Sequence, residues 1–466
     1  MAGWSKVGKQ GGMSTNFDAI IIGTGQAGPS LAQRLTSAGM KVAIIERGRF
    51  GGTCVNTGCI PTKAMVASAY AANMARRAAE YGVTISGSIT VDMKQVKARK
   101  DRIAGKSNSG VETWLKGMSN CTVFEDHARF GSAREIHAGG KILTADQIFV
   151  NVGGRASIPP IPGLNETGYL TNSTMMDIDC LPPHLVILGG SYIALEFGQM
   201  FRRFGSEVTI VERGPRLVER EDEDVSSALR EILENEGITI HVNANVSRVA
   251  KRNGEIAIGG LGSDVRGSHL LVATGRRPNT DDLGLDKAGV ETDKRGYIVV
   301  DDQLRTNIPG IWALGDCNGK GAFTHTSYND YEIVAANLLD GANRRVSDRI
   351  TAYALYTDPP LGRAGMTVEQ ARKSGRKLMV GQRPMTRIAR AVEKGETQGF
   401  MKVVVDAETK EILGAAVLGT GGDEVIHSIL DVMYAKQPYK LIQDAMHIHP
   451  TVSELIPTIL GELKDA

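Results

Sequence analysis

The sequence predicts an α/β protein, and three observations predict it. An apolar strand over residues 17–22 runs into Gly23-Thr24-Gly25-Gln26-Ala27-Gly28, then a helix to Gly39, then a second strand over 41–45 that ends in Glu46. The same order returns at residue 184: a strand, the turn Gly189-Gly190-Ser191-Tyr192-Ile193-Ala194, a helix ending at Phe204-Gly205, and a strand over 207–211 ending in Glu212. In both copies 16 positions separate the first glycine from the helix-ending glycine, and 23 separate it from the acid. Beyond about residue 350 the pattern changes: strands over 401–405 and 412–418, then helices, suggest an α+β module without such a turn.

The elements of each copy have a physical logic. Glycines permit a tight turn, close backbone approach to a pyrophosphate and close packing of the helix, while the acid at the second strand's end accepts from a ribose hydroxyl. Pro29 falls in the first helical turn, where a missing N–H costs little. These are Rossmann-like dinucleotide-binding units. In the second copy Ser191 and Ala194 replace two of the glycines, and both are small enough to fit. Residues 151–154 followed by the Pro-rich stretch 159–163 read as the exit from the first unit, and 272–279 as the exit from the second. Residues 307–316 form a short apolar strand ending in Gly315-Asp316, a carboxylate placed to meet a sugar hydroxyl. The expected organisation is therefore a disordered extension over 1–16, a first nucleotide domain over 17–165 to which 291–346 return, a second over 166–290, and a C-terminal α+β domain over 347–466.

Behind the first unit lies Gly51-Gly52-Thr53-Cys54-Val55-Asn56-Thr57-Gly58-Cys59-Ile60-Pro61-Thr62-Lys63. Two thiols with four residues between them precede an alanine-rich helix over about 64–79, whose positive end would favour thiolate. The five cysteines offer no second pair to complete a zinc site, so no resident metal is expected. Cys317 reads as a small buried hydrophobe.

With 466 residues, 42% of them hydrophobic, and 55 glycines, the chain has material for about three cored domains. A net charge of +2 with interspersed signs offers no basic stripe, so nucleic acid is not an expected partner. No membrane association is expected either: the first 15 residues lack the apolar core of a signal, and no later stretch is long enough to span a bilayer. Few, mostly unmatched cysteines suit the cytoplasm.

Taken together, these residues resemble the pyridine nucleotide-disulfide oxidoreductases over about 17–460. The resemblance implies FAD in the first domain, NADH (with NADPH as the alternative) in the second, and a C-terminal domain that forms a homodimer with shared active sites. On this sequence it places Gly23, Gly25, Gly28, Glu46, Gly52, Thr53, Lys63, Ala128, Gly153, Asp316, Phe323 and Thr324 around FAD. Gly189, Ile193, Glu212, Val246 and Gly275 fall around the nicotinamide nucleotide, and Lys63 pairs with Glu196. It further implies that reducing equivalents pass from NAD(P)H through FAD to a Cys54/Cys59 disulfide, with Cys59 the flavin-proximal thiol and Cys54 the interchange thiol. His449, in His447-Ile448-His449-Pro450-Thr451, would supply the leaving thiol's proton from the other subunit, its tautomer fixed by Glu454.

The substrate stays open between a small disulfide or thiol-reactive species, a mercuric or other metal ion, and dihydrolipoamide; a non-catalytic flavin scaffold is a further alternative. The tail over 460–466 carries no vicinal cysteines of the mercuric reductase kind, and the His-Pro-Thr element favours disulfide chemistry. A carboxylate at Glu212 favours NADH, against Arg213 and Arg216 nearby, which could meet a 2′-phosphate.

Overall fold

The computed structural model describes residues 14–252, 254–262 and 264–466. The chain divides into two compact units, one built from the stretches up to Pro61, Arg102–Arg155 and Arg276–Asp348, the other from Thr62–Asp101, Ala156–Gly275 and Arg349–Ala466. The first unit therefore breaks off before the proline-rich stretch and resumes at Arg276. Residues 1–13 of the expected extension lie outside the described residues. Its last three are not disordered: Ser14–Asn16 form a strand paired in parallel with Ile142–Thr144, which gives their backbone groups partners.

In the first unit five parallel strands lie in the order Ile311–Ala313, Gln147–Val150, Ala19–Ile22, Val42–Glu46, Cys121–Glu125. The strand Ala19–Ile22 is apolar throughout because both faces are covered, and all four of its residues are buried. In the second unit four parallel strands lie in the order Thr239–His241, Glu207–Val211, His184–Leu188, His269–Val272. Both sheets place the strand before the glycine turn between its sequence successor and a later strand. That reversal of winding opens a crevice at the carboxyl ends.

The internal repeat extends to individual hydrogen bonds. Gly23 N donates to Ile45 O at 2.8 Å and Gly189 N to Val211 O at 2.9 Å, while Asn151 N donates to Ile22 O and Ala273 N to Leu188 O, both at 2.8 Å. The second unit also contains a six-stranded antiparallel sheet, ordered Ala352–Leu355, Leu361–Gly365, Ile412–Leu418, Phe400–Asp406, Leu378–Pro384, Lys464–Asp465. Its central strands, Phe400–Asp406 and Ile412–Leu418, are buried at every position. Among the described residues no helix is long and apolar enough to cross a membrane.

Candidate active site

The three glycines of the first turn differ in what they permit. Gly23 has φ +102°, and a Cβ there would lie 2.3 Å from Asn151 O, so the turn closes directly on the neighbouring strand end. A Cβ on Gly28 would meet Gly23 O at 2.4 Å, which lets the helix Ala27–Ser37 pack against the turn. Gly25 has no such clash: a Cβ would make ordinary contacts of 3.4 Å and longer to Asn151. Protein packing does not require glycine at this position; close approach by a phosphate would. Asn151, which the sequence reading passed over as part of an exit segment, is 5% exposed and donates from Nδ2 to Gly25 O at 3.2 Å. A polar residue closing an apolar strand beside two glycines was the signal available for it.

Glu46, the last residue of its strand, is committed to the glycine turn and to the backbone that follows it. Its Oε2 accepts from Thr24 N at 3.0 Å and from Thr24 Oγ1 at 2.6 Å, and its Oε1 accepts from Gly48 N at 2.9 Å. Thr24 Oγ1 in turn accepts from Gly51 N at 3.1 Å, tying the glycine turn to the segment that leads into Gly52 and Thr53. Gly52 has φ +60°, and a Cβ there would approach Gly25 Cα at 2.8 Å. Gly153, with φ +64°, faces open space. Ala128 is 2% exposed, so its methyl belongs to the core and only its backbone could face a ligand.

Asp316 begins a turn held from behind by a buried carboxylate, Asp330, whose Oδ2 accepts from Gly315 N at 2.8 Å and Asn318 Nδ2 at 3.0 Å. Burial holds the Asp316 carboxyl above its ordinary range even though Arg276 Nη2 lies 3.4 Å away. Such a group gains from hydroxyl donors, as a polyol chain would provide. Cys317 beside it is fully buried, and burial pushes its thiol up to about 12.

Cys54 is the third residue of the short helix Gly52–Asn56, and Cys59 the first of Cys59–Arg76. The long helix thus starts earlier than its alanine content suggests, with Pro61 inside the first turn where no N–H is needed. Thr324 is the first residue of the helix Thr324–Leu339, and its Oγ1 lies 3.1 Å from Cys59 Sγ. Cys59 therefore meets the positive ends of two helices of 18 and 16 residues, which favours its thiolate. Phe323, preceding that helix, stacks on His325 at 5.4 Å between ring centroids.

In the second unit Gly189 has φ +111°, and a Cβ would lie 2.4 Å from Ala273 O, matching Gly23 against Asn151. A Cβ on Gly190 would meet the Glu212 side chain at 2.9 Å. Glu212 Oε1 accepts from Gly214 N, the same i to i+2 bond that Glu46 makes with Gly48. Arg216 donates to the carbonyl oxygens of Glu219 and Glu221, at 3.1 and 3.4 Å. Ile193 is partly buried at the helix start and Val246 packs against the cluster of Leu188 and Val211, while Gly275 has φ +126° with open space around its α-carbon. Lys63 Nζ lies 2.7 Å from Glu196 Oε2, Glu196 Oε1 accepts from Tyr356 N at 3.0 Å, and the ammonium sits 4.3 Å from the Tyr356 ring centroid. Tyr356 gave no sequence signal, since it reaches the pair through tertiary packing. His449 Nδ1 lies 2.9 Å from Glu454 Oε2, with the imidazole mostly exposed and the carboxylate mostly buried.

Two glycine turns of the dinucleotide type, with a cysteine pair at a helix start, define a nucleotide-linked thiol oxidoreductase. Residues 17–330 match the pyridine nucleotide-disulphide oxidoreductase family and residues 351–459 its dimerisation domain; the chain belongs to that family. Membership implies FAD, a pyridine nucleotide and a homodimer. The chain is 36% identical over 456 residues to the probable pyridine nucleotide-disulfide oxidoreductase RclA of Escherichia coli, covering 96% of this chain and 99% of that one. It is 33% identical to a mercuric reductase of Streptomyces lividans, covering 95% of each chain. A dihydrolipoyl dehydrogenase of Cupriavidus necator is 31% identical, with 95% of this chain and 97% of that one covered. The solved structure titled HOCl-induced flavoprotein disulfide reductase RclA from Escherichia coli matches with a TM-score of 0.88 at 35% identity, covering 95% of this chain and 99% of that one.

Proposed function

We propose that this enzyme uses NADH, through FAD, to keep the Cys54/Cys59 pair reduced, and that the pair reduces a small disulfide or another thiol-reactive species in the cytoplasm. The observation that carries the reading is Cys59 at the start of its helix with Thr324 Oγ1 3.1 Å from its sulfur. Bound FAD would supply the means of turning a hydride into an electron pair delivered to sulfur. The first glycine turn, Thr53, Gly153 and Asp316 fit it, since Gly25 leaves room for phosphate and Asp316 offers acceptors to hydroxyls.

The remaining chemistry falls to side chains. Cys54, as thiolate, attacks one sulfur of the substrate disulfide; a mixed disulfide forms and the other sulfur leaves. His449, its Nδ1–H held by Glu454, presents Nε2 to protonate that leaving thiolate across the dimer. Cys59 thiolate then attacks Cys54 sulfur, which releases the second substrate thiol and restores the pair's disulfide. Lys63 and Glu196 form the charged pair that orients the nicotinamide.

That RclA is HOCl-induced supports a thiol-reactive oxidant among the substrates of this enzyme. A second reading, reduction of a soft metal ion at the same thiolates, rests on the mercuric reductase relatives and on the Cu(II) complex formed by RclA. The decisive experiment is anaerobic titration with NADH followed by a panel of oxidised glutathione, lipoamide, cystine, hypothiocyanite and mercuric ion. One equivalent of NADH should yield a long-wavelength thiolate–flavin absorption band that Cys59→Ser abolishes. Absence of the band in the wild-type enzyme would remove the dithiol from the reaction.

A further inference from the structure

The second glycine turn is braced by a buried charge network that no step above requires. Glu221 is 1% exposed, and its Oε2 accepts from Arg363 Nε at 3.0 Å and also from Arg363 Nη2, so that two N–H groups of an equally buried guanidinium converge on one oxygen. Its other oxygen, Oε1, accepts from Tyr353 Oη at 2.6 Å. Tyr353 and Arg363 are direct cross-strand partners on Ala352–Leu355 and Leu361–Gly365, so sheet register alone delivers both donors to one carboxylate. Burial and the adjacent carboxylate push the Tyr353 phenol far above its ordinary range, which keeps it a donor.

Two routes lead from Glu221 to the turn. Glu221 N donates to Val218 O at 2.8 Å, and Val218 N donates to Gly190 O at 2.8 Å. Val218 is a β-branched residue at φ +41°, a strained conformation that persists only where its surroundings over-determine it. The second route is aromatic: the Tyr353 ring meets the Tyr192 ring edge to face, centroids 5.5 Å apart, and Tyr192 is the first residue of the helix that follows Ser191. A buried ion pair adds little net stability over apolar packing of the same shape, so fixing a geometry is its better-supported use.

We propose that Tyr353 is a positioning residue for nicotinamide-nucleotide binding: through Glu221 and through Tyr192 it holds the second glycine turn in its receptive shape, so that the antiparallel sheet sets the affinity for NAD(H). This rests on the reading of that turn as the nucleotide site.

The test is Tyr353→Phe, which keeps the ring against Tyr192 and removes only the hydroxyl. In the oxidised FAD-loaded dimer, the dissociation constant for NAD⁺ measured by calorimetry should rise about three- to tenfold, a fraction of what one lost hydrogen bond to a charged group costs, because the effect reaches the turn indirectly. The KM for NADH should rise with it, while the KM for a small disulfide stays at its wild-type value; the melting temperature should fall modestly, because Glu221 Oε1 loses that donor. Tyr353→Leu, which also removes the ring, should weaken NAD⁺ further. An unchanged NAD⁺ constant in both variants overturns the proposal, as does a KM for the small disulfide that rises in parallel with that for NADH, which would mark a purely structural role. Ser191→Trp, an exposed substitution at the turn, serves as the control. If NAD⁺ binds it normally, the turn is not the nucleotide site, and the proposal falls with that reading rather than on its own terms.

Discussion

Cys59 Sγ and Thr324 Oγ1 lie 3.1 Å apart, each at the first residue of its own helix. The hydroxyl can donate to a thiolate but gains less from a thiol, so it stabilises the charged form together with the two helix termini. Thr324→Val removes the donor at nearly constant volume. In the NADH-reduced enzyme, the pH at which the thiolate–flavin band appears should rise by about one unit. A titration midpoint that does not move would mean that the helix ends alone hold the charge.

Asp316 gives a pH-dependent prediction with a definite sign. Its carboxyl is held above its ordinary value by burial, against the pull of Arg276. A raised carboxyl pKa means that the folded apoprotein prefers the protonated form. The group's contribution is most favourable below the unfolded value of about 3.9 and is lost as pH rises through the folded one. At pH 7 the FAD-free Asp316→Asn variant should therefore melt above the FAD-free wild type, with the gap closing on acidification. The same variant should release FAD more readily on dilution or dialysis, because one of the two carboxylate oxygens that could accept from a polyol becomes an NH2 donor. Lower melting at neutral pH would show that Arg276 outweighs burial.

Lys63 and Glu196 predict a cost that is partly structural. Glu196 is 7% exposed, and without the ammonium it keeps only the Tyr356 N–H among the bonds described here. Lys63→Met should lower stability by about 1–3 kcal/mol, the price of an under-satisfied buried acceptor. Glu196→Gln retains the Tyr356 bond and should fall within about 1 kcal/mol of wild type. Denaturant unfolding of the two variants separates these outcomes, and equal losses would mean that the charge, rather than the hydrogen bond, governs the pair.

The parts of this fold that were legible in the sequence are those written in local pattern. Glycine spacing, apolar strands and terminal acids placed Gly23, Glu46, Gly189 and Glu212 correctly relative to their strands, because a turn's requirement for positive φ and a strand's burial act on neighbouring residues. The Lys63–Glu196 pair was legible only through resemblance, since 133 positions separate the two. Asn151 left only a local signal, a polar residue closing an apolar strand, while Tyr356, Asp330 and the Glu221–Arg363–Tyr353 cluster were not legible at all. Each owes its role to sheet register or to a crossing of segments, and single polar residues next to strands carry no periodic signature. Ser14–Asn16 looked like an extension because three residues are too few to show alternation.

His449 and Glu454 separate the candidate substrates. The imidazole holds its Nδ1 against the carboxylate at 2.9 Å, which leaves Nε2 for the proton that a departing thiolate needs. His449→Ala should cost about 10²-fold or more with a small disulfide and little with mercuric ion or a quinone, neither of which expels a thiolate. Glu454→Gln should give a smaller loss in the same order of substrates. Equal losses on disulfide and metal would assign His449 a structural part in the dimer instead.

On the proposed reading of the second turn as the nucleotide site, coenzyme choice turns on Glu212 and its two arginine neighbours. Glu212 already accepts from Gly214 N through Oε1, which fixes the carboxylate against the loop and leaves Oε2 to receive a ribose hydroxyl. Arg216 is engaged with the carbonyl oxygens of Glu219 and Glu221, so it must give up both bonds to reach a 2′-phosphate. NADH should therefore have the higher kcat/KM in the wild-type enzyme. Glu212→Ala removes the acceptor and the repulsion of a phosphate at once, so the KM for NADH should rise about three- to tenfold while that for NADPH falls or stays level. Preference for NADPH in the wild type, followed by no change on substitution, would transfer the choice to Arg213 and Arg216.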